Sequence, residues 1–179
     1  VGKGGDFERE VAKYLSVWLT GSEKPYQFWR MPGSGSIATI SEENTEFSGD
    51  IRAMTPEAEF FTSLFSVELK TGYKTTSFFQ HFANIKNFNI REFWSQCYRD
   101  ASKGNKRPML IYRKKGRKPI LGIDRVTRLD LLLYLKDLPS MSMIFPPKYD
   151  LPTLVFYDFK EWFNIITPNI IKEGLNGEN

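Results

Sequence analysis

The sequence predicts an α/β fold, and three observations predict it. An amphipathic stretch with helical spacing opens the chain. A run at 64–70 alternates apolar and polar residues as a half-buried strand does. A second amphipathic helix at 90–103 is followed by a hairpin, so helices and strands interleave. The 179 residues are 41% hydrophobic and 15% aromatic, which supplies one substantial core. We therefore expect a core over 1–124, with 125–179 as an α/β extension packed on the same domain.

The elements follow in order. Phe7, Val11, Tyr14, Leu15 and Trp18 recur at helical spacing, predicting a helix over 7–19 with Asp6 as N-cap and Gly21 as stop. Tyr26–Arg30 reads as a short aromatic strand. Residues 31–46 read as a long loop, with Pro32, Gly33 and Gly35 and then Glu42, Glu43 and Glu46. Strands are expected at 47–53 and 64–70, joined through Thr55-Pro56. The helix over 90–103 carries Ile90, Phe93, Trp94, Cys97, Tyr98 and Ala101 on one face. A hairpin at 108–114 and 119–124 turns at Lys115-Gly116. Beyond it come a helix at 126–138, a proline-broken loop, a strand at 153–157, a helix at 159–166 and a polar, frayed end.

Bulk properties narrow the function. No apolar run approaches the ~20 residues of a membrane-spanning helix, and the N-terminus lacks the pattern of a secretory signal. The single cysteine excludes an internal disulfide, so a cytoplasmic setting (the host cytoplasm if a virus encodes the chain) is expected. Net charge is only +4, but Lys103, Lys106, Arg107, Arg113, Lys114, Lys115, Arg117 and Lys118 fall within 103–118, a stretch without acids. Such a run can neutralise nucleic-acid phosphates, and a solvated hairpin has the same composition.

Phosphodiester hydrolysis needs a divalent cation held by carboxylates beside the phosphate, and a positioned water. In Ser66-Val67-Glu68-Leu69-Lys70, alternation puts Glu68 and Lys70 on one face and Val67 and Leu69 on the other. A carboxylate for the cation and an ammonium for the water then stand side by side. Glu-x-Lys by itself arises by chance in roughly half of chains this long, and an exposed cross-strand pair looks the same. Asp50, in Ser48-Gly49-Asp50-Ile51, adds a second acid that Gly49 can aim at the neighbouring strand; a turn-capping aspartate is its alternative. Glu8 borders the apolar stripe of the first helix, where an acid wants a partner or a metal, although first-turn acids also favour the helix dipole.

Four segments together resemble the archaeal-type Holliday-junction resolvases of the PD-(D/E)XK superfamily. They are Lys3-Gly4-Gly5-Asp6-Phe7-Glu8-Arg9-Glu10, Arg30-Met31-Pro32-Gly33-Ser34-Gly35-Ser36, Gly49-Asp50-Ile51 and Val67-Glu68-Leu69-Lys70-Thr71. The resemblance implies a restriction-endonuclease-like mixed sheet flanked by helices. It implies Mg²⁺, which Mn²⁺ can replace, bound by Asp50, Glu68 and the Leu69 carbonyl, with Glu8 completing the acidic cluster and Lys70 serving the water. It also implies that Arg9 and Arg30 face DNA phosphates, that Ser34 approaches the scissile phosphate, and that a homodimer cuts branched DNA to 5′-phosphate and 3′-hydroxyl ends. Lys3, Lys74, Lys106, Arg107, Lys114, Lys115, Arg117 and Lys118 complete the expected DNA-binding set. The match covers 1–124; three acids between Ser36 and Asp50 depart from it, and 125–179 resembles nothing named.

The rivals are a nicking, restriction-type or single-strand-processing nuclease, and a non-catalytic basic DNA-binding module. Secondary candidates have plainer readings. Gln96 follows the Glu-Leu-Lys strand on a helix but off its apolar face. His81 has no His or Cys cluster around it for zinc. Cys97 reads as core. Phe78, Phe79 and Phe82 read as loop packing ahead of stacking on unpaired bases, and Met141, Met143 and Phe145 as an exposed patch for self-association.

Overall fold

The computed structural model describes residues 3–31, 49–72 and 89–175. Ser34, Lys74, His81, Phe78, Phe79 and Phe82 lie outside the described residues, as does the acidic stretch between Ser36 and Asp50.

Helix α1 spans Lys3–Thr20. It starts earlier than the apolar stripe suggested, so Asp6 sits inside the first turn, ion-paired to Arg9 at 2.5 Å, rather than capping it. The buried Ser16 hydroxyl accepts from the Gln27 and Phe28 amides at 3.0 and 3.2 Å, fixing the chain's return along the helix. Strand β1 (Phe28–Arg30) pairs antiparallel with β2 (Ile51–Ala53), forming a ribbon of its own.

Between β2 and the next strand lies a helix the sequence reading did not anticipate, α2 (Pro56–Leu64). Its start is conventional: Pro56 occupies the first turn, where no amide hydrogen is needed, and Glu57 and Glu59 complement the helix dipole. Only Ala58 and Phe61 are buried in its nine residues, too short a stripe to read as a period. Phe65 leaves the helix in extended conformation and opens β3 (Phe65–Thr71) without a connecting loop.

Helix α3 (Asn89–Lys103) then leads into β4 (Arg107–Arg113) and β5 (Ile120–Asp124). Strands β6 (Met141–Met143) and β7 (Leu154–Asp158) complete a five-stranded sheet of order β3-β4-β5-β7-β6. β3 and β4 are parallel and the other pairs antiparallel, so the sheet is mixed. Alternation divides its side chains between two cores. Val67, Leu69, Met109, Ile111, Leu121 and Ile123 meet Phe7, Val11 and Leu15 of α1. Leu110, Tyr112, Leu154 and Phe156 meet Ile90, Phe93, Trp94 and Cys97 of α3. The predicted α/β class, a mixed sheet flanked by helices, is the observed one.

The C-terminal part departs from expectation in three places. The helix expected at 126–138 is two short ones, α4 (Arg125–Asp130) and α5 (Leu132–Leu135), broken at Leu131. Met141–Met143 is an edge strand, and Met143 and Phe145 are buried in the α3-side core, which leaves only Met141 of the supposed patch exposed. After α6 (Phe159–Ile165) the end is not frayed through 175. Pro168–Leu175 forms α7, seating Ile171 and Leu175 one turn apart in the α1-side core.

Candidate active site

Gly49 and Asp50 lock the β1–β2 ribbon onto β3. The Asp50 amide donates to the Val67 carbonyl at 2.7 Å, and its own carbonyl accepts from the Met31 amide at 2.8 Å. The Asp50 Oδ2 accepts from the Leu69 amide at 2.8 Å, so backbone and side chain are both held against β3. The approach is close enough to require glycine before it. Gly49 has φ of +102°, and a Cβ there would lie 2.8 Å from the Val67 nitrogen.

Glu68 is next to Asp50 and buried, with 5% of its surface exposed. Burial, then the Asp50 charge, push its carboxyl up from 4.5 to about 7, against the opposing pull of Lys70. Lys70 forms an ion pair with Glu68 on the same face of β3, as alternation predicts, and its ammonium stands 5.7 Å over the Phe93 ring of α3. Glu68 and Lys70 therefore lie under α3, on the face opposite Val67 and Leu69. This arrangement places two carboxylates, one backbone carbonyl (Leu69) and one ammonium at one edge of a rigid sheet.

Glu8 does not complete that cluster. It accepts from Arg30 Nη1 at 3.1 Å, and among the described residues no three Asp, Glu, His or Cys side chains stand close enough to share an ion. Arg9 and Arg30 are thus each engaged by an acid of α1, Asp6 and Glu8. Lys3 is the first residue of α1.

The basic run is divided by strand β4. Lys106 and Arg107 stand at its start, where Arg107 pairs with Asp130 at 2.7 Å and ties α4 to the sheet. Lys114, Lys115, Arg117 and Lys118 follow its far end, roughly 20 Å away for a seven-residue strand. That far end is the site's end: Thr71 Oγ1 donates to the Arg113 carbonyl at 3.2 Å, and β3 is parallel to β4. Lys115, Arg117 and Lys118 are exposed on the turn. Arg113 itself belongs to the fold, pairing with Glu10 at 2.6 Å above the Phe7 ring.

On α3, Cys97 is buried, and desolvation raises its thiol well above the ordinary value, as befits a core residue. Gln96 lines a groove on the side of α3 away from the core. A residue the sequence reading passed over is Asp100, whose charge adds to the upward pressure on Glu68. Its signal was present: Phe93, Cys97 and Asp100 follow i, i+4, i+7 spacing on one face of α3.

A family model described as "Phage putative PDDEXK endonuclease" matches residues 1–173. Protein D14 of Escherichia phage T5 is 25% identical over 126 residues, covering 66% of this chain and 74% of that protein. No solved structure matches the chain. Among the described residues no helix is long and apolar enough to cross a membrane. The match over nearly the whole length makes the chain a member of the phage PD-(D/E)XK endonuclease family, a nuclease family.

Proposed function

We propose that the chain is a divalent-metal-dependent, structure-selective DNA endonuclease acting in the host cytoplasm, with four-way junctions as preferred substrate. The observation that carries the hydrolytic reading is the pairing of Asp50 and Glu68 beside Lys70 at the β3 edge. Two adjoining carboxylates, one raised to about 7 by burial and by the other's charge despite the Lys70 ammonium beside it, fit a hard cation that takes oxygen ligands. Asp50, Glu68 and the Leu69 carbonyl would hold Mg²⁺, or Mn²⁺ in its place. Bound there, the cation supplies positive charge against the scissile phosphate.

The chain's own groups do the rest. Asp50, fixed by the Leu69 amide, keeps its remaining oxygen oriented without rearrangement. The Lys70 ammonium orients the attacking water and stabilises charge developing on the phosphoryl oxygens. The water oxygen bonds to phosphorus while the P–O3′ bond breaks, leaving a 5′-phosphate and a 3′-hydroxyl. Lys114, Lys115, Arg117 and Lys118 hold flanking phosphates at the same end of the sheet. Glu8 acts through Arg30, setting the guanidinium's position.

Junction preference and a homodimer that cuts two strands rest only on the resemblance of four sequence segments to the archaeal-type resolvases. A panel of four-way, flapped, gapped and linear duplex substrates tests them, with sedimentation measuring the protein's mass. Cleavage confined to linear duplex by a monomer removes the junction reading and keeps the nuclease. Cleavage that Asp50→Asn and Lys70→Ala leave intact removes the site.

A further inference from the structure

On the solvent side of α3, away from Glu68 and Lys70, lies a groove with a volume of about 300 Å³ between the helix and the Tyr149–Leu151 segment. Arg91, Ser95, Gln96 and Arg99 present donors to it, against one lining acid, Glu92, and the Asp100 carboxylate 3.9 Å from Arg99 Nε; with Lys148 the cations still outnumber these acids. Arg91 is pre-positioned: its Nη1 donates to the Tyr149 hydroxyl at 2.7 Å and its guanidinium lies 4.4 Å from that ring's centroid. Lys148 adds a second cation 5.0 Å from the same ring. With Tyr149 already engaged by two cations, the ring is not a free stacking platform for a base. What remains is a set of hydrogen-bond donors with excess positive charge, the chemistry that recognises phosphate.

We propose that this groove binds a backbone phosphodiester of the DNA strand flanking the scissile bond, with Arg91 and Arg99 as its charged ligands. The inference rests on the nuclease reading above and extends its footprint. Gln96, at the groove's border, is one turn from Phe93, over which Lys70 stands. A strand leaving the Lys70 side reaches the groove by crossing the width of α3, ~10 Å. The turn at Lys114–Lys118 and the groove then clasp the nucleic acid from two sides.

The test uses the full chain carrying Asp50→Asn, so that binding is read without cutting, and labelled four-way and linear duplex DNA over a salt series. Arg99→Ala, whose side chain is 63% exposed, should weaken binding about tenfold or less and lower the salt slope by about one, with an unchanged melting temperature. Arg91→Ala/Arg99→Ala should lower the slope by about two, and Glu92→Gln should tighten binding. Since Arg91 also anchors Tyr149, Arg91→Lys separates charge from folding: a retained slope supports a phosphate contact. Wild-type affinity and slope in the double variant, with Lys114→Ala/Lys115→Ala still weakening binding, overturn the groove and leave the nuclease intact. An Asp50→Asn chain that binds no DNA, together with a wild-type chain that cuts none, overturns both. Stabilisation by inorganic pyrophosphate that Arg99→Ala abolishes, without any change in DNA binding, assigns the groove to a small phosphate and overturns the proposal.

Discussion

Replacing Glu68 by glutamine isolates the electrostatic cost of the site. In the folded protein the Glu68 carboxyl titrates near 7, against an ordinary 4.5, because it is buried beside Asp50. Between these values the folded state holds a proton that the unfolded state has lost. Relative to the ionised form, the stabilisation is fully present below 4.5, declines as pH rises through the window and is gone above about 7. At about 1.4 kcal/mol per pH unit, the metal-free protein should lose about 3 kcal/mol from this group between pH 5 and pH 8. Denaturant unfolding in chelator at several pH values measures it. The difference between wild type and Glu68→Gln should change across that range by about 2–3 kcal/mol, allowing for other carboxylates that titrate alike in both. Mg²⁺ should raise wild-type stability more at pH 8 than at pH 5. Parallel pH profiles for the two proteins would refute the reasoning.

Further outcomes follow from the same geometry. Gly49→Ala places a Cβ 2.8 Å from the Val67 nitrogen at a positive φ, so denaturation should show a loss of about 2 kcal/mol or more. Lys70→Ala should lower the single-turnover cleavage rate by about a hundredfold or more while junction affinity stays within about threefold. Arg107→Ala should lower thermal stability by removing the Asp130 pair, with the salt slope of DNA binding unchanged. Lys115→Ala does the reverse: the slope falls by about one and stability moves by no more than about 0.5 kcal/mol.

The strands and helices that the sequence displayed were those that bury several residues of their own. α1 and α3 each bury a continuous stripe, while β3, β4 and β5 are buried on both faces, and all of them fell within a few residues of expectation. The missed elements bury little by themselves. α2 hides Ala58 and Phe61, β6 hides Met143, and α7 hides Ile171 and Leu175, so each is stabilised chiefly by neighbours distant in sequence. At the site, alternation in Ser66–Lys70 placed Glu68 with Lys70, and Gly49 pointed to a tight approach that the structure contains. Where Glu8 goes was not legible. Its choice between a shared cation and Arg30 depends on how α1 sits against β1, which no local pattern encodes. The layout of the basic run was not legible for a related reason: residues adjacent in sequence are held at opposite ends of a seven-residue strand.

Manganese soaked into crystals of the protein, located by its anomalous signal, tests the shared cation site most directly. One strong peak about 2.1 Å from carboxylate oxygens of both Asp50 and Glu68, with the Leu69 carbonyl in the same shell, is the expected result. Manganese bound elsewhere, with the Glu68–Lys70 ion pair undisturbed, would contradict it.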